Sequence, residues 1–241
     1  MAAVICGASA ELPRPGLLLA QEPGDDGIPR WVVGVGGYTG DHAAPTVEGL
    51  RERALSIGSP EIVRLSHEAE RIGEVFRFNF PHSLRRRYER LQRFPTRFLA
   101  PGDALTGFNP IYGQGMTVAA CEALALRVAL NGGFEGLHRR YFRAAARVID
   151  TPWQVAVGSD LAIAAVLGRR PLPVRVINAY VARLQRAAVH DAVVSLAFLK
   201  VVHMLEPPLS LFAPAVLWRV LRKGGRKTAA MPPVEIRRAV A

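Results

Sequence analysis

The chain has 241 residues, of which 50% are hydrophobic and 21% are charged. A chain of this length and composition can bury a sizeable core as one or two domains. Its formal net charge is +11, and the basic residues are almost all arginine. No zinc finger, RNP-type motif or interleaving of basic and aromatic residues accompanies them, so the sequence argues against a nucleic-acid partner.

The cysteines and histidines do not form a metal-ligand pattern. Cys6 and Cys121 have no partner at metal spacing, and two cysteines do not make a disulfide framework. The six histidines are scattered along the chain, so no metal site is predicted. Residues 1–10 lack the positive n-region of a signal peptide, and no uncharged apolar run of about 18 residues predicts a spanning helix. A reducing, cytoplasmic setting is expected.

The first part of the chain predicts a mixture of helices and strands. Helical patterns span 46–57 and 60–71, with Pro and Ser near their starts, and 84–93 is strongly basic. Apolar, β-forming or alternating runs predict strands at 17–20, 30–37, 74–80 and 97–100. The run at 74–80 alternates apolar and polar residues, which predicts a half-buried strand.

From residue 118 onward the pattern is helical. Helices are predicted at 118–130, 134–168 with an interruption near Pro152, 174–188, 191–205 and 209–222. The element order therefore predicts an α+β fold, or an incomplete α/β fold. Its expected parts are a partial substrate-binding region at 1–95, a βα unit at 96–132, a helical region at 133–222 and a flexible basic tail at 223–241.

The most informative segment is 102–117, which reads GDALTGFNPIYGQGMT. Because a β-like run precedes it and a helical pattern follows it, Asp103 is expected at a strand end and Gly113 and Gly115 at a helix start. A carboxylate at a strand end accepts hydrogen bonds from sugar-like hydroxyls. Glycines at a helix N-terminus let a ligand approach the backbone amides and the positive end of the helix dipole.

This segment resembles the second flavin-binding motif of FAD-dependent monooxygenases of the aromatic hydroxylase and squalene-epoxidase type. That pattern runs Gly-Asp-Ala, several residues, Pro, two residues, Gly-Gln-Gly and then Met or Asn, and all of these positions are filled here. Softer similarity extends over residues 15–222, so the chain resembles the C-terminal portion of such an enzyme. Many members carry Ala-His after Gly-Asp-Ala, whereas Leu105 and Thr106 stand here, which leaves no ring nitrogen at that place.

The resemblance implies FAD as cofactor, NAD(P)H as reductant and oxygenation of a small apolar organic substrate through a flavin hydroperoxide. It implies that Asp103 accepts hydrogen bonds from the ribityl hydroxyls, that Gly102 turns the chain beside the cofactor and that Pro110 shapes the loop against the flavin ring. No catalytic side chain is implied. The backbone at the helix start is expected to face the pyrimidine edge of the flavin, through Gly113, Gln114, Gly115, Met116 and Thr117.

Two structural alternatives stay open for this motif: Asp103 caps the next turn, and the glycines form a plain helix entry. The first motif of such an enzyme, a strand, a Gly-x-Gly-x-x-Gly turn and a helix, has a counterpart only in 34–40 (GVGGYTG). Its third glycine is displaced by one residue and no apolar helix pattern follows, so 34–40 is interpreted as the end of a sheet strand.

Several functions therefore remain open. The chain is expected to be a truncated or partial FAD-dependent oxidoreductase, with a separate chain as one source of the N-terminal half. The alternatives are a non-catalytic remnant or split-gene subunit, an isoprenoid-reductase-like flavoprotein, and a basic peripheral membrane or interaction protein. The last rests on 209–227, which joins apolar residues and Trp218 to a basic end, as interfacial helices do.

Overall fold

The structure, a computed structural model, describes residues 3–95 and 97–225. The described residues form two compact units, 3–79 with 161–169, and 80–95, 97–160 and 170–225. Both helices and small antiparallel sheets are present, so the predicted α+β fold is confirmed.

The first unit is built on a three-stranded antiparallel sheet in the order β1-β2-β3. Its strands are β1 (Ala3–Cys6), β2 (Gly16–Gln21) and β3 (Arg30–Val35). The runs predicted at 17–20 and 30–37 thus form adjacent strands, with Leu18 opposite Val33. Sequence reasoning missed β1.

Two helices pack against this sheet, α1 (Val47–Ile57) and α2 (Pro60–Glu68), as predicted. Thr46 caps α1 by accepting from the amide of Gly49 at 3.0 Å, and Ser59 caps α2 by accepting from the amide of Ile62. The small core between helices and sheet contains Leu18, Ala54, Ile62 and Val63.

An ion-pair cluster fixes the segment between β3 and α1. The Asp41 carboxylate accepts from Arg53 and Arg14, each at 2.8 Å, and Arg53 is buried. Hydrogen bonds from Arg53 and then Arg14 hold the pKa of Asp41 far below its usual range. The residues after the glycines of 34–40 therefore serve to anchor a loop, and α1 begins only at Val47.

The half-buried strand predicted at 74–80 is wrong. These residues form no strand, and the side chains of Phe76 and Phe78 are 87% and 78% exposed. Alternation assigns side chains to two faces, but a strand also needs a neighbour for its backbone groups. No strand of the described residues pairs with this segment.

The core of the second unit lies between two long helices, α3 (Gly115–Leu130) and α4 (Leu137–Asp160). A two-stranded antiparallel ladder of β4 (Leu84–Arg85) and β5 (Thr106–Gly107) precedes them. The basic segment 84–93 contributes to this unit through Arg85, whose side chain is only 3% exposed and pairs with Asp150 at 2.7 Å. Arg85 is therefore not part of a solvated face.

The predicted interruption near Pro152 is wrong, because α4 runs through it for 24 residues. Pro152 is buried on the core side of the helix, between Ile149 and Ala156, which are 1% and 0% exposed. Packing of these apolar neighbours compensates for the hydrogen bond that a proline removes from a helix.

The remaining helices are α5 (Leu172–Ala188), α6 (Ala192–Val202) and α7 (Pro214–Lys223). They share a second core and agree with the predictions at 174–188 and 191–205. The single helix predicted at 209–222 instead divides into a 3-10 helix, Pro208–Phe212, and α7, because Pro214 starts a new helix at its first position. The predicted tail lies, from residue 226, outside the described residues.

Asp191 joins α6 to α7. Its carboxylate accepts from the amides of Val193 and Val194, capping α6, and pairs with Lys223 at 2.9 Å and Arg219 at 3.0 Å on α7. The lysine first, and then the arginine and the two amides, hold the pKa of Asp191 far below its usual range.

No helix among residues 3–95 and 97–225 has the length and apolar character needed to cross a membrane. Cys6 and Cys121 are both free thiols, and Cys121 lies inside α3 as expected.

The second core can be tested with one substitution at two positions of α5. Leu184→Ala removes a side chain that is fully buried, so the free energy of unfolding is expected to fall by about 2–5 kcal/mol. Leu172→Ala is the matched control, because Leu172 is 69% exposed and should change stability by less than about 0.5 kcal/mol. Urea unfolding measures both. Equal effects would contradict the assigned packing.

Candidate functional site

The 102–117 segment forms a chain of tight turns leading into α3. Gly102–Ala104 is a 3-10 helix, Thr106–Gly107 is β5, and Pro110–Tyr112 is a second 3-10 helix. Gly102 and Gly113 have φ values of 61° and 64°. A residue with a side chain is strained in this left-handed region, which explains glycine at both turns.

The strand predicted at 97–100, which was expected to lead into this segment, is wrong. Residues 97–100 are irregular, and Arg97 has a φ of 61°. Ala100 is buried at 4% exposure, and Leu99 packs against the α3–α4 core. Their apolar character therefore reflects packing against helices, and no strand of the described residues pairs with them.

The N-terminus of α3 has unpaired backbone donors. Gln114 is its N-cap but provides no side-chain cap, and the amides of Gly115, Met116 and Thr117 donate to no acceptor in the described part of the chain. A Cβ atom built on Gly113 or Gly115 would meet nothing within 4 Å, and Met116 is 86% exposed. The predicted helix start is thus an open end with its donors and positive dipole free.

Asp103 lies on a turn that packs against the second turn of α3. The 3-10 helix that carries it packs against α3, and a Cβ on Gly102 would lie 3.6 Å from the Cβ of Ala119. Asp103 is exposed, and its carboxylate has no hydrogen bond to another described residue. The open alternative in which Asp103 caps the following turn is therefore not what the structure has.

A buried carboxylate, which sequence reasoning missed, holds the Gly-Asp turn against α3. Glu122 Oε2 accepts from the amide of Gly102 at 2.6 Å, and the Glu122 side chain is fully buried. Burial raises the pKa of Glu122, and the charge of Asp103 adds to that rise, while the Gly102 amide and Tyr141 oppose it. The available signal was a single acidic residue in a largely apolar helix, seven positions after Gly115.

Tyr141 on α4 completes this buried group. Its side chain is fully buried, and burial followed by the neighbouring Glu122 raises its pKa. The Tyr141 hydroxyl and Glu122 Oε1 interact electrostatically, yet neither makes a hydrogen bond of good geometry to any described residue. Burial by itself raises the pKa of both groups.

The other predicted residues have different surroundings. Pro110 is exposed at the start of its 3-10 helix, and Thr117 is exposed on α3. The Gln114 side chain turns into the protein, where its Nε2 donates to the carbonyl of Val202 at 3.1 Å. Leu105 and Thr106, which replace the Ala-His of many family members, are each 2% exposed.

A second set of side-chain hydrogen bonds, which sequence reasoning also missed, joins the loop that contains Asn109 and Tyr112 to the end of α4. Asp160 Oδ1 accepts from the Tyr112 hydroxyl at 2.7 Å and from Asn109 Nδ2 at 3.0 Å. Asn109 also accepts from the amide of Ile111, which forms the turn before Gly113. Side-chain hydrogen bonds therefore stabilise the loop between Asp103 and Gly113, in addition to the backbone hydrogen bonds of its turns.

The sequence predicts no metal site, because its histidines and cysteines lack the spacing of metal ligands. Among residues 3–95 and 97–225, no group of three or more His, Cys, Asp or Glu side chains is arranged to hold a metal ion.

No protein-family model matches the chain. The chain is similar to Protein Rv3254 of Mycobacterium tuberculosis (strain ATCC 25618 / H37Rv), with 32% identity over 162 residues. The similarity covers 66% of this chain and 33% of that protein, so the chain spans about a third of the length of the curated relative that it matches.

The role of Glu122 predicts a difference between two substitutions. Glu122→Ala leaves the Gly102 amide without its acceptor and is expected to lower the free energy of unfolding by about 1–3 kcal/mol. Glu122→Gln keeps an acceptor of the same shape. Because the folded-state pKa of Glu122 is raised, its contribution to stability is complete below the unfolded-state pKa and is lost as pH rises through the folded-state pKa.

The stability of Glu122→Gln relative to wild type should therefore increase between pH 4 and pH 7. Urea unfolding at both pH values measures this, and Glu135→Gln, which changes an exposed side chain before α4, is the matched control. A relative stability that stays constant, or that moves with Glu135→Gln, would contradict the assignment.

Proposed function

We propose that this chain is the flavin-contacting, C-terminal part of an FAD-dependent oxidoreductase, and specifically of a monooxygenase that acts on an apolar organic substrate. The observation that supports it best is the open N-terminus of α3, with three unpaired amides and two glycines, together with the unpaired carboxylate of Asp103 on a turn that packs against the same helix. The hydrogen bond between Gly102 and Glu122 joins the turn that carries Asp103 to α3. The backbone amides are complementary to the carbonyl oxygens of the flavin ring, and the carboxylate is complementary to the hydroxyls of the ribityl chain.

The donor set fits FAD in both chemistry and space. The ribityl hydroxyls are donors, and an exposed carboxylate such as Asp103 accepts them. The pyrimidine edge of the flavin carries carbonyl oxygens, which accept from backbone amides. Because nothing lies within 4 Å of a Cβ on Gly113 or Gly115, a flat ring can reach these amides without meeting a side chain.

Each part of the site has a distinct task in this proposal. When bound, FAD supplies the redox and oxygen chemistry, and NAD(P)H is the expected reductant. The start of α3 places the positive end of a helix dipole where negative charge collects on the pyrimidine edge. Asp103 and the turn at Gly102 orient the ribityl chain, and Glu122 holds that turn. No side chain is assigned as an acid or base.

The described residues would bind only the flavin and ribityl part of FAD. The pyrophosphate of FAD is ordinarily bound by a strand, a glycine-rich turn and a helix, and the described residues contain no such unit, since β3 is followed by a loop anchored at Asp41. A separate chain that supplies this half fits the proposal. A non-catalytic remnant, or a subunit of a divided enzyme, and an isoprenoid-reductase-like flavoprotein are the alternatives.

Titration of the purified chain with FAD tests the proposal. Flavin absorbance that is retained on gel filtration, and that NAD(P)H bleaches, is the expected result. Asp103→Ala should weaken FAD binding by about tenfold or more, because it removes charge-assisted hydrogen bonds. Asp25→Ala removes a carboxylate from an exposed loop and is the matched control.

A steric variant makes the test independent of charge. Gly115→Leu places a side chain in the open space before the amides and should abolish FAD binding without unfolding the chain. Ala120→Leu adds the same bulk to an exposed position further along α3 and should bind FAD normally. If Gly115→Leu binds FAD as wild type does, the proposed site is wrong. If wild type retains no FAD, this chain alone does not form a cofactor site, and the result favours the alternatives of a non-catalytic remnant or a subunit of a divided enzyme.

A second candidate function is contact with an anionic membrane surface, favoured by α7. Val216 and Val220 are buried, but Trp218 and Leu221 are 58% and 55% exposed on the same helix. The guanidinium of Arg222 lies 5.1 Å from the centre of the Trp218 ring. An aromatic residue beside basic residues on one helix is typical of interfacial helices, although the described part of α7 also packs on its neighbours as a core helix does.

Flotation with vesicles of anionic and of neutral phospholipid separates this candidate from the first. Salt-sensitive flotation with anionic vesicles alone is expected, and Trp218→Ser should reduce it several-fold. Leu167→Ser, which changes another exposed apolar residue, is the control. Absence of flotation at low salt would exclude this function.

A further inference from the structure

Residues 70–82, which connect α2 to β4, have a backbone that makes no hydrogen bonds within the described part of the chain. Between residues 74 and 83 the chain makes no turn or bend, so this part is extended. An extended segment whose backbone donors and acceptors are all free is equivalent to the unpaired edge of a sheet. Such an edge is a template for pairing with another chain.

The side chains of this segment alternate as they do in a strand. Phe76, Phe78 and Phe80 occupy alternate positions and so belong to one face, whereas Arg77 and Asn79 belong to the other. Phe76 and Phe78 are almost fully exposed, and Phe80 is half-buried. Contiguous exposed apolar side chains of this kind mark interaction surfaces.

Antiparallel pairing of the segment with its own copy brings the aromatic residues together. Two antiparallel strands of identical sequence are related by a two-fold axis, which is the symmetry of most homodimers. With the axis at Phe78, this residue faces its own copy, and each Phe76 faces a Phe80. The three aromatic rings of each copy then share one face of the paired strands, and aromatic cross-strand pairs stabilise antiparallel sheets.

The polar residues also match in this register. Glu74 faces His82 of the second copy, so a carboxylate meets an imidazole at both ends of the pairing, and Arg77 faces Asn79. An axis placed one residue earlier would put Arg77 opposite its own copy. Like charges directly opposite destabilise a sheet, so the side chains favour the axis at Phe78.

Pro81 is compatible with the same register. Alternate residues of an antiparallel strand direct their backbone groups toward the partner. With Phe78 as a hydrogen-bonded pair at the axis, Glu74, Phe76, Phe80 and His82 also direct theirs toward the partner, and Pro81 directs its nitrogen away from it. A proline is tolerated in a strand where its nitrogen faces solvent, so this pairing loses no hydrogen bond at Pro81.

We propose that residues 74–82 form a dimer interface in which two copies of this chain pair as antiparallel strands, with the two-fold axis at Phe78. The segment forms no strand in the single chain because the neighbour that it needs is a second copy. Two paired strands bury less surface than a standard interface, so the dimer is weak and dissociates on dilution. The interface does not depend on FAD and includes none of residues 102–117.

Sedimentation equilibrium of the full chain, at micromolar to submillimolar concentrations, tests the association. A reversible monomer–dimer equilibrium is expected. Phe78→Lys should raise its dissociation constant by about tenfold or more, because it places two like charges opposite each other at the axis. Phe134→Lys is the matched control, since Phe134 is 86% exposed outside the segment and should leave the equilibrium unchanged.

Charge reversal at the two ends tests the register. Glu74→Lys removes the carboxylate opposite His82, and His82→Glu places two carboxylates opposite each other, so each substitution should weaken the dimer several-fold. The double variant restores a pair of opposite charges and should recover the wild-type dissociation constant. The four chains form a double-mutant cycle, which isolates the coupling between the two positions. Circular dichroism verifies that each variant is folded.

Three results would overturn the proposal. They are a monomer at every concentration, a dimer that Phe78→Lys weakens no more than Phe134→Lys does, and a double variant that recovers no affinity. The first would mean that a different protein covers the exposed phenylalanines. None of them bears on the FAD titration, so the two proposals fail separately.

Discussion

The hydrogen bond from the amide of Gly102 to the buried carboxylate of Glu122 is the constraint on which the candidate site depends. It joins the Gly-Asp turn to the second turn of the helix whose first residues are Gly115 and Met116. The two halves of the motif are thirteen residues apart in sequence, counted from Gly102 to Gly115, and a charge buried without this bond would be costly. Asp103 is free for a ligand because Glu122, and not Asp103, holds the turn.

The elements that sequence predicted well are those whose signals are local. Caps at Thr46 and Ser59, the proline that starts α2 and the long apolar periodicities after residue 118 each specify a helix without help from distant residues. The strand predictions at 74–80 and 97–100 failed because a strand requires a partner, and hydropathy reports only the burial of side chains. The helix interruption predicted at Pro152 was wrong for a different reason: a local signal favoured a break, but burial between Ile149 and Ala156 keeps α4 continuous.

The same distinction applies to the site. Sequence could predict the turns at Gly102 and Gly113 and the helix start at Gly115. Glycine is the residue that favours positive φ and a close approach to backbone amides, so its positions indicate the backbone conformation directly. Glu122 and Asp160 could not, because their roles arise from partners 20 and 48 residues away, Gly102 and Tyr112. Sequence therefore located the backbone of the site, whereas the side chains that hold it became visible only in three dimensions.

Gln114 shows why a motif residue need not act through its own side chain on the expected ligand. Its position at the N-cap of α3 without a capping bond leaves the following amides free, which is what the flavin proposal uses. Its side chain turns into the protein, where Nε2 donates to the carbonyl of Val202 and Oε1 is buried without a hydrogen-bond partner among the described residues. A leucine at this position would leave the free amides unchanged but remove the hydrogen bond to the carbonyl of Val202. The glutamine of Gly-Gln-Gly is thus explained by its hydrogen bond to the end of α6. The two glycines are explained by the open space that they leave at the start of α3.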